Sequence, residues 1–244
     1  MYETHSEIPV GWCCDREEGA FAFEPPRTVF SRRARPLSTR SVQNCPAVND
    51  LERHLIEIPA PVSIRLRAVD EGDAPEIFVV PAGTTVEDDR IGSFLVIEPV
   101  ERWRDPRRPM LQLKLPFFLV TDAPCHVTQV PPFLDQVIRQ WPGTMTAGRF
   151  ALHLWPRSLQ WPFEWDDLSE DLVIRAGEPL CYLQCAFDDP AARPALVEAE
   201  LTPELTEYRA GMEAVGEITD DIAGVMAEAA RRRPATLLTP VRRD

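Results

Sequence analysis

The sequence predicts a mainly β protein, an antiparallel β-sandwich or jelly roll, followed by a long C-terminal α-helix. Three observations carry this expectation. Strand-like runs recur at roughly ten-residue spacing and are divided by Pro, Gly and Asp turns. Proline is abundant, with 25 residues against 11 glycines, which suits short strands and extended connections better than a helical bundle. No strand–helix–strand alternation appears before the end of the chain, so a doubly wound sheet is not expected. A cupin-like barrel is one form of such a jelly roll.

At 244 residues the chain is long enough for one large β domain or two small ones, and 44% hydrophobic content is that of a globular protein. Residues 1–50 read as an arm packed on the domain, with one or two short strands. Residues 51–187 read as the β domain. Residues 188–244 read as an acidic segment carrying a helix over about 203–233.

Within the β domain the first strands are expected at His54 to Ile58 and Val62 to Val69. The latter alternates Val62, Ile64 and Leu66 with Ser63, Arg65 and Arg67. Glu71-Gly72-Asp73 is a turn, and Glu76 to Val80 and Ile91 to Glu98 are further strands. Leu111 to Val120 is mostly apolar, and Pro116 marks a bulge or an edge position because proline cannot donate to a ladder. Cys125 to Val130 follows, then a helical turn or loop over Phe133 to Trp141. Arg149 to Leu154 alternates with period two, and Pro156 ends it. Leu172 to Ile174 and Leu180 to Phe187 close the series around an Ala176-Gly177-Glu178-Pro179 turn.

The C-terminal segment changes period. Thr202-Pro203 is a helix entry, with Thr as N-cap and Pro in the first turn. Leu205, Tyr208, Met212, Val215, Thr219, Ile222, Met226 and Ala229 then recur at +3 and +4 spacing. That seam fits packing on the protein's own β domain, a second copy in a homo-oligomer, or a protein partner.

Charge excludes some functions. The net charge of −13 argues against a general nucleic-acid binder. The exception is a basic stretch of Arg27, Arg32, Arg33, Arg35 and Arg40, read as a solvated or partner-contacting arm or an anion site. No apolar run reaches the roughly 20 residues of a membrane span, and no signal peptide is evident at the N-terminus. Six cysteines in such a chain suggest reduced thiols and a cytoplasmic location.

Four sets of residues offer chemistry. Trp161, Phe163 and Trp165 alternate, so in a strand they share one face, either of a core or of a stacking platform; with Trp155 and Arg149 they form the candidate ligand-binding set. His126 and His153, on separate strands, with Glu178, Asp122 or Cys125 as a third ligand, form the candidate metal set. Cys45 and Cys125 are candidate thiol nucleophiles, although His126 points to the opposite face from its neighbour Cys125. Glu164, Asp166, Asp167, Glu170 and Asp171 supply a candidate carboxylate pair of the kind glycoside hydrolysis uses. No set assigns catalytic residues. No cofactor is called for, and iron, manganese or zinc is the one metal candidate.

Several motifs resemble those of an uncharacterised family of β-rich bacterial and tailed-phage proteins of similar length. They are Asn44-Cys45-Pro46-Ala47, Pro116-Phe117-Phe118-Leu119-Val120-Thr121-Asp122, Pro131-Pro132-Phe133, Gly148-Arg149-Phe150, Trp155-Pro156-Arg157 and Arg175-Ala176-Gly177-Glu178-Pro179. The resemblance covers roughly residues 40 to 187, leaves the helix outside, and implies one compact β domain with no activity to carry over.

The function expected is therefore a non-enzymatic binding or structural protein that acts through an aromatic-rich β face and the C-terminal helix. A cupin-like metalloenzyme using His126 and His153 is the alternative, and a carbohydrate-binding protein the third reading.

Overall fold

The computed structural model describes residues 6–15, 23–29, 44–70, 74–135, 137–218 and 221–242. The turn at Glu71 to Asp73 and the basic residues Arg32, Arg33, Arg35 and Arg40 lie outside them. The described chain is mainly β and forms several sheets. It opens with β1 (Glu7–Cys14), β2 (Arg27–Thr28), α1 (Pro46–Arg53), β3 (Leu55–Pro59), β4 (Ile64–Val69) and β5 (Glu76–Val79). Next come α2 (Asp88–Phe94), β6 (Leu95–Ile97), β7 (Met110–Val120), β8 (Cys125–Val130), β9 (Gly143–Met145) and β10 (Gly148–Ala151). The last are β11 (Ser158–Trp165), β12 (Leu172–Ile174), β13 (Pro179–Phe187), β14 (Arg193–Glu198), α3 (Pro203–Ile218) and α4 (Ile222–Arg232).

The first sheet runs β14-β1-β7-β11-β9, with β6 also on β7, and the second runs β10-β8-β13-β3-β2. A three-stranded sheet, β12-β4-β5, completes the set. All pairs are antiparallel except β1 with β14, which is parallel. The inner faces meet in one core. Leu111, Leu113, Leu115, Phe117 and Leu119 of β7, and Leu159, Trp161, Phe163 and Trp165 of β11, enter it from the first sheet. Ile56, Ile58, Val127, Cys181, Leu183 and Cys185 enter from the second, and Ile64, Leu66, Leu172 and Ile174 from the third.

A second core lies on the outer face of the first sheet. Cys13, Phe118 and Val120 pack there against Leu205, Tyr208, Met212, Val225, Ala229, Leu237 and Leu238. The pattern along β7 records this change. It alternates as far as Lys114 and is continuously buried from Leu115 to Val120, where helices cover the second face. Pro116 sits where its missing N–H costs least: β6 pairs with residues 111–113, β1 with 117–120, and the register to β11 shifts opposite it.

Helix α3 begins as expected, with the Leu205 N–H donating to Thr202 Oγ1 at 3.2 Å. The single helix over 203–233 does not form. Asp221 starts a new helix by accepting from the Ala223 and Gly224 amides at 3.0 and 3.2 Å, so α3 and α4 make a hairpin. Ile222, a member of the expected seam, is 58% exposed as a result.

Arg209 pins this hairpin to the sheet. Its guanidinium stacks 3.7 Å from the Phe118 ring centroid and donates at 2.8 Å to both Asp15 Oδ2 and Ser158 Oγ. Tyr208 Oη lies 2.6 Å from the Leu154 carbonyl oxygen and 3.1 Å from that of Ala229.

Three elements depart from the local reading. Ile91 to Phe94 is helical rather than extended because Ile91, Phe94 and Leu95 bury at i, i+3 and i+4 spacing. Pro46 to Arg53 is a helix with proline in its first turn. Arg193–Glu198, inside the acidic segment, is a strand that joins β1. Among the described residues no helix is long and apolar enough to cross a membrane.

Candidate functional site

A pocket of about 250 Å³ opens where β10 and β8 of the second sheet approach β11 of the first. Trp155, Arg149, Arg157, Gln129, Gln160 and Ser158 line it. The segment after β10 turns back on itself, with the Trp155 amide donating to the Ala151 carbonyl at 2.8 Å. This places Arg157 over the Trp155 ring at 4.7 Å from its centroid.

Electrostatically Arg157 is unusual in this chain. Other half-buried arginines meet carboxylates: Arg27 with Glu57 at 2.7 Å, Arg209 with Asp15 at 2.8 Å and Arg233 with Asp122 at 3.0 Å. Among the described residues no carboxylate lies within 4.0 Å of Arg157, and its one side-chain hydrogen-bond partner is Gln160 Oε1, at 3.5 Å. Burial lowers the Arg157 pKa from its ordinary value, and the charge of Glu213 opposes that shift. A guanidinium stays protonated regardless, so the cost appears as an uncompensated positive charge facing the pocket.

Gln129, 8% exposed, is held by its Nε2, which donates to the Gln160 carbonyl at 2.8 Å and reaches Cys181 Sγ at 3.6 Å. Ser158 Oγ, at the base of the pocket, donates to Asp15 Oδ2 at 2.9 Å and accepts from Arg209. The pocket thus offers cations, amide groups and the aromatic rings of Trp155 and Phe150, and no carboxylate is among its described lining residues.

The ligand-binding set divides. Trp155 and Arg149 line the pocket. Trp161 and Trp165 are fully buried, and Trp161 stacks on Phe163 with centroids 5.0 Å apart. A stacking platform needs exposed rings, and these two present none, because their positions on β11 face the core.

The metal set also divides. His126 and His153 do converge, with ring centroids 6.0 Å apart in an edge-on arrangement. His153 Nδ1 lies 3.1 Å from both the Cys125 amide nitrogen and the Cys125 carbonyl oxygen, so either tautomer finds a backbone partner. Glu178 is elsewhere. Its carboxylate binds the Arg175 side chain at 3.1 Å, at the opposite end of β13 from Ala186, the register partner of His126. Those eight residues of strand span roughly 26 Å at about 3.3 Å per residue. Asp122 binds Arg233 and the Leu237 amide. Among the described residues no three His, Cys, Asp or Glu side chains converge as a metal site.

Four of the five carboxylate candidates are tied to other partners. Glu164 lies within 4 Å of Arg104 and Arg108, and Asp166 within 3.4 Å of Arg108. Asp171 receives Arg67 at 2.8 Å and Arg65 at 2.7 Å, and Asp167 accepts from Ser169. Glu170 is exposed. Cys45 is exposed at the start of α1, while Cys125 is buried in the core. The sequence matches no protein-family model and no curated protein.

The residue that local reading passed over is Arg157. It lies within the Trp155-Pro156-Arg157 motif, but its lack of a carboxylate partner depends on where β10 and β11 are brought together.

One electrostatic link is testable. Desolvation lowers the His126 pKa below its ordinary 6.5, and the charges of Arg149 and His153 lower it further. The fold therefore favours neutral imidazole. Its contribution to stability is complete above pH 6.5 and lost as pH falls through the folded pKa. An NMR titration is expected to place the His126 midpoint below 6.5, and Arg149→Gln to move it upward. A midpoint unmoved by that substitution contradicts the link.

Proposed function

We propose that this chain is a non-enzymatic binding protein whose recognition site is the pocket of Trp155, Arg157 and Arg149. Its ligand in this reading is a small molecule bearing a carboxylate or phosphate. One observation carries the reading: Arg157 keeps a charged, half-buried guanidinium on Trp155 with no carboxylate within 4.0 Å among the described residues, in a protein of net charge −13. A carboxylate or phosphate accepting from that guanidinium forms charge-assisted hydrogen bonds of about 1.5–3 kcal/mol. Arg149 at the rim adds long-range attraction, and Gln129 and Gln160 supply amides for orientation. At about 250 Å³ the pocket is below the usual range of drug-sized sites, which favours a compact ligand. The scaffold in this reading is a jelly-roll-type sandwich, supported by two facing sheets with one shared core; the parallel β1–β14 pair departs from the all-antiparallel form.

Calorimetric titration with small dicarboxylates and inorganic phosphate tests the reading. Saturable binding is expected, weakened at least tenfold, or about 1.4 kcal/mol, by Arg157→Gln and by Trp155→Ala. Trp161→Ala is expected instead to lower stability by about 3–5 kcal/mol in urea unfolding, as a core deletion does. Binding that is undiminished in Arg157→Gln contradicts the proposal.

A second reading is a cupin-like metal site on His126 and His153, favoured by the 6.0 Å approach of their rings. It predicts near-stoichiometric iron, manganese or zinc in the untagged protein, lost in both His126→Ala and His153→Ala. Metal retained in either variant, or protein purified metal-free, counts against it.

A further inference from the structure

The sandwich has a second open edge, where β14 ends the first sheet and β2 ends the second. A pocket of about 650 Å³ lies there, lined by Arg53, Arg193, Arg27, Thr28, Glu7 and residues 194–196. Arg193 stands on the first residue of β14, and Arg53 on the last turn of α1. Only 17% of the Arg193 side chain is exposed, and its Nε is buried with no hydrogen-bond partner. The nearest carboxylate, that of Asp50, is 3.8 Å from Nη2 and belongs to a side chain that is 65% exposed. A buried guanidinium N–H left unmet costs about 1–3 kcal/mol or more, and such a group marks either strain or a ligand position.

The other charges of this pocket are consistent with a ligand position. Arg53 brings a second positive charge to the same cavity, and its field, after burial, pushes the Arg193 pKa down. An anion placed beside Arg193 offsets the repulsion that Arg53 exerts on it. Arg27, the third guanidinium of the lining, adds little to that field, because Glu57 at 2.7 Å and Glu24 neutralise it. Among the described lining residues Glu7 is the one carboxylate, and it is exposed.

We infer that Arg193 and Arg53 form a second oxyanion site, which takes a phosphate or carboxylate group through the free Arg193 Nε–H and the fork geometry of guanidinium. The site is separate from the Arg157 pocket. The two lie on opposite edges of the sandwich, between β11 and β10 in one case and between β14 and β2 in the other.

The test uses inorganic phosphate titrated calorimetrically into the full-length chain carrying Arg157→Gln, at constant ionic strength. That background removes the first pocket, so the second is read on its own. Saturable binding is expected, weakened tenfold or more by adding Arg193→Gln and also by adding Arg53→Gln. Arg193→Lys, which keeps the charge but lacks the fork, is expected to weaken binding while circular dichroism shows an intact fold. Phosphate binding absent from the Arg157→Gln protein overturns the inference. So does binding that is unchanged by Arg193→Gln. Phosphate binding that survives in Arg193→Gln but is abolished by Arg157→Gln alone overturns it too, and leaves the first pocket standing.

Discussion

Burial of strand β7 on both faces is the constraint on which the rest of the structure depends. Leu111, Leu113, Leu115, Phe117 and Leu119 belong to the core shared by the sheets, while Phe118 and Val120 belong to the layer under α3 and α4. Each such side chain contributes about 1.5–3 kcal/mol when removed from water. Neither core is complete without this strand. β11 lies along one edge of β7, and β6 and β1 divide the other on either side of Pro116. The helical hairpin is therefore part of the fold's core rather than an appendage. Arg209 reinforces that union by stacking on Phe118 while binding Asp15 and Ser158.

Two arginine-lined pockets lie where strands of the first and second sheets approach each other. The core faces are filled by Trp161, Phe163, Trp165 and aliphatic side chains. Arginines supply nearly all of the positive charge of the chain. Most of them meet a carboxylate, as expected for a protein with 39 acidic and 26 basic residues. Among the described residues Arg157 has no carboxylate within 4.0 Å and Arg193 Nε has no hydrogen-bond partner, and each side chain lines a pocket. A positive charge that is desolvated without a partner is costly.

Much of the sheet was legible from period-two runs, because a strand with one face in the core alternates by necessity. The switch in β7 from Met-Leu-Gln-Leu-Lys to Leu-Pro-Phe-Phe-Leu-Val is also visible in the sequence, and it marks the onset of burial on both faces. Other features were hidden for physical reasons. Strand β14 lies in an acidic stretch and is held by a parallel partner almost the whole chain away, at Glu7–Cys14. The +3, +4 seam of the C-terminal segment continued through Ile222, but Asp221 capped a new helix and turned that residue outward. Of the site residues, Trp155 and Arg149 fell in one pocket, whereas Glu178 belonged to the far end of its strand. Local pattern tells which face a residue occupies; it does not tell which two faces a long-range pairing will bring together.

Native-state hydrogen exchange in rising urea tests the shared role of β7 most directly. If the strand joins both cores into one cooperative unit, the amides of Phe117–Val120 and those of Leu205–Met212 in α3 exchange through the same opening, with equal free energies and equal urea dependence. If the α3 amides exchange through a smaller opening while Phe117–Val120 stay protected, the hairpin is a separate unit and the account is contradicted.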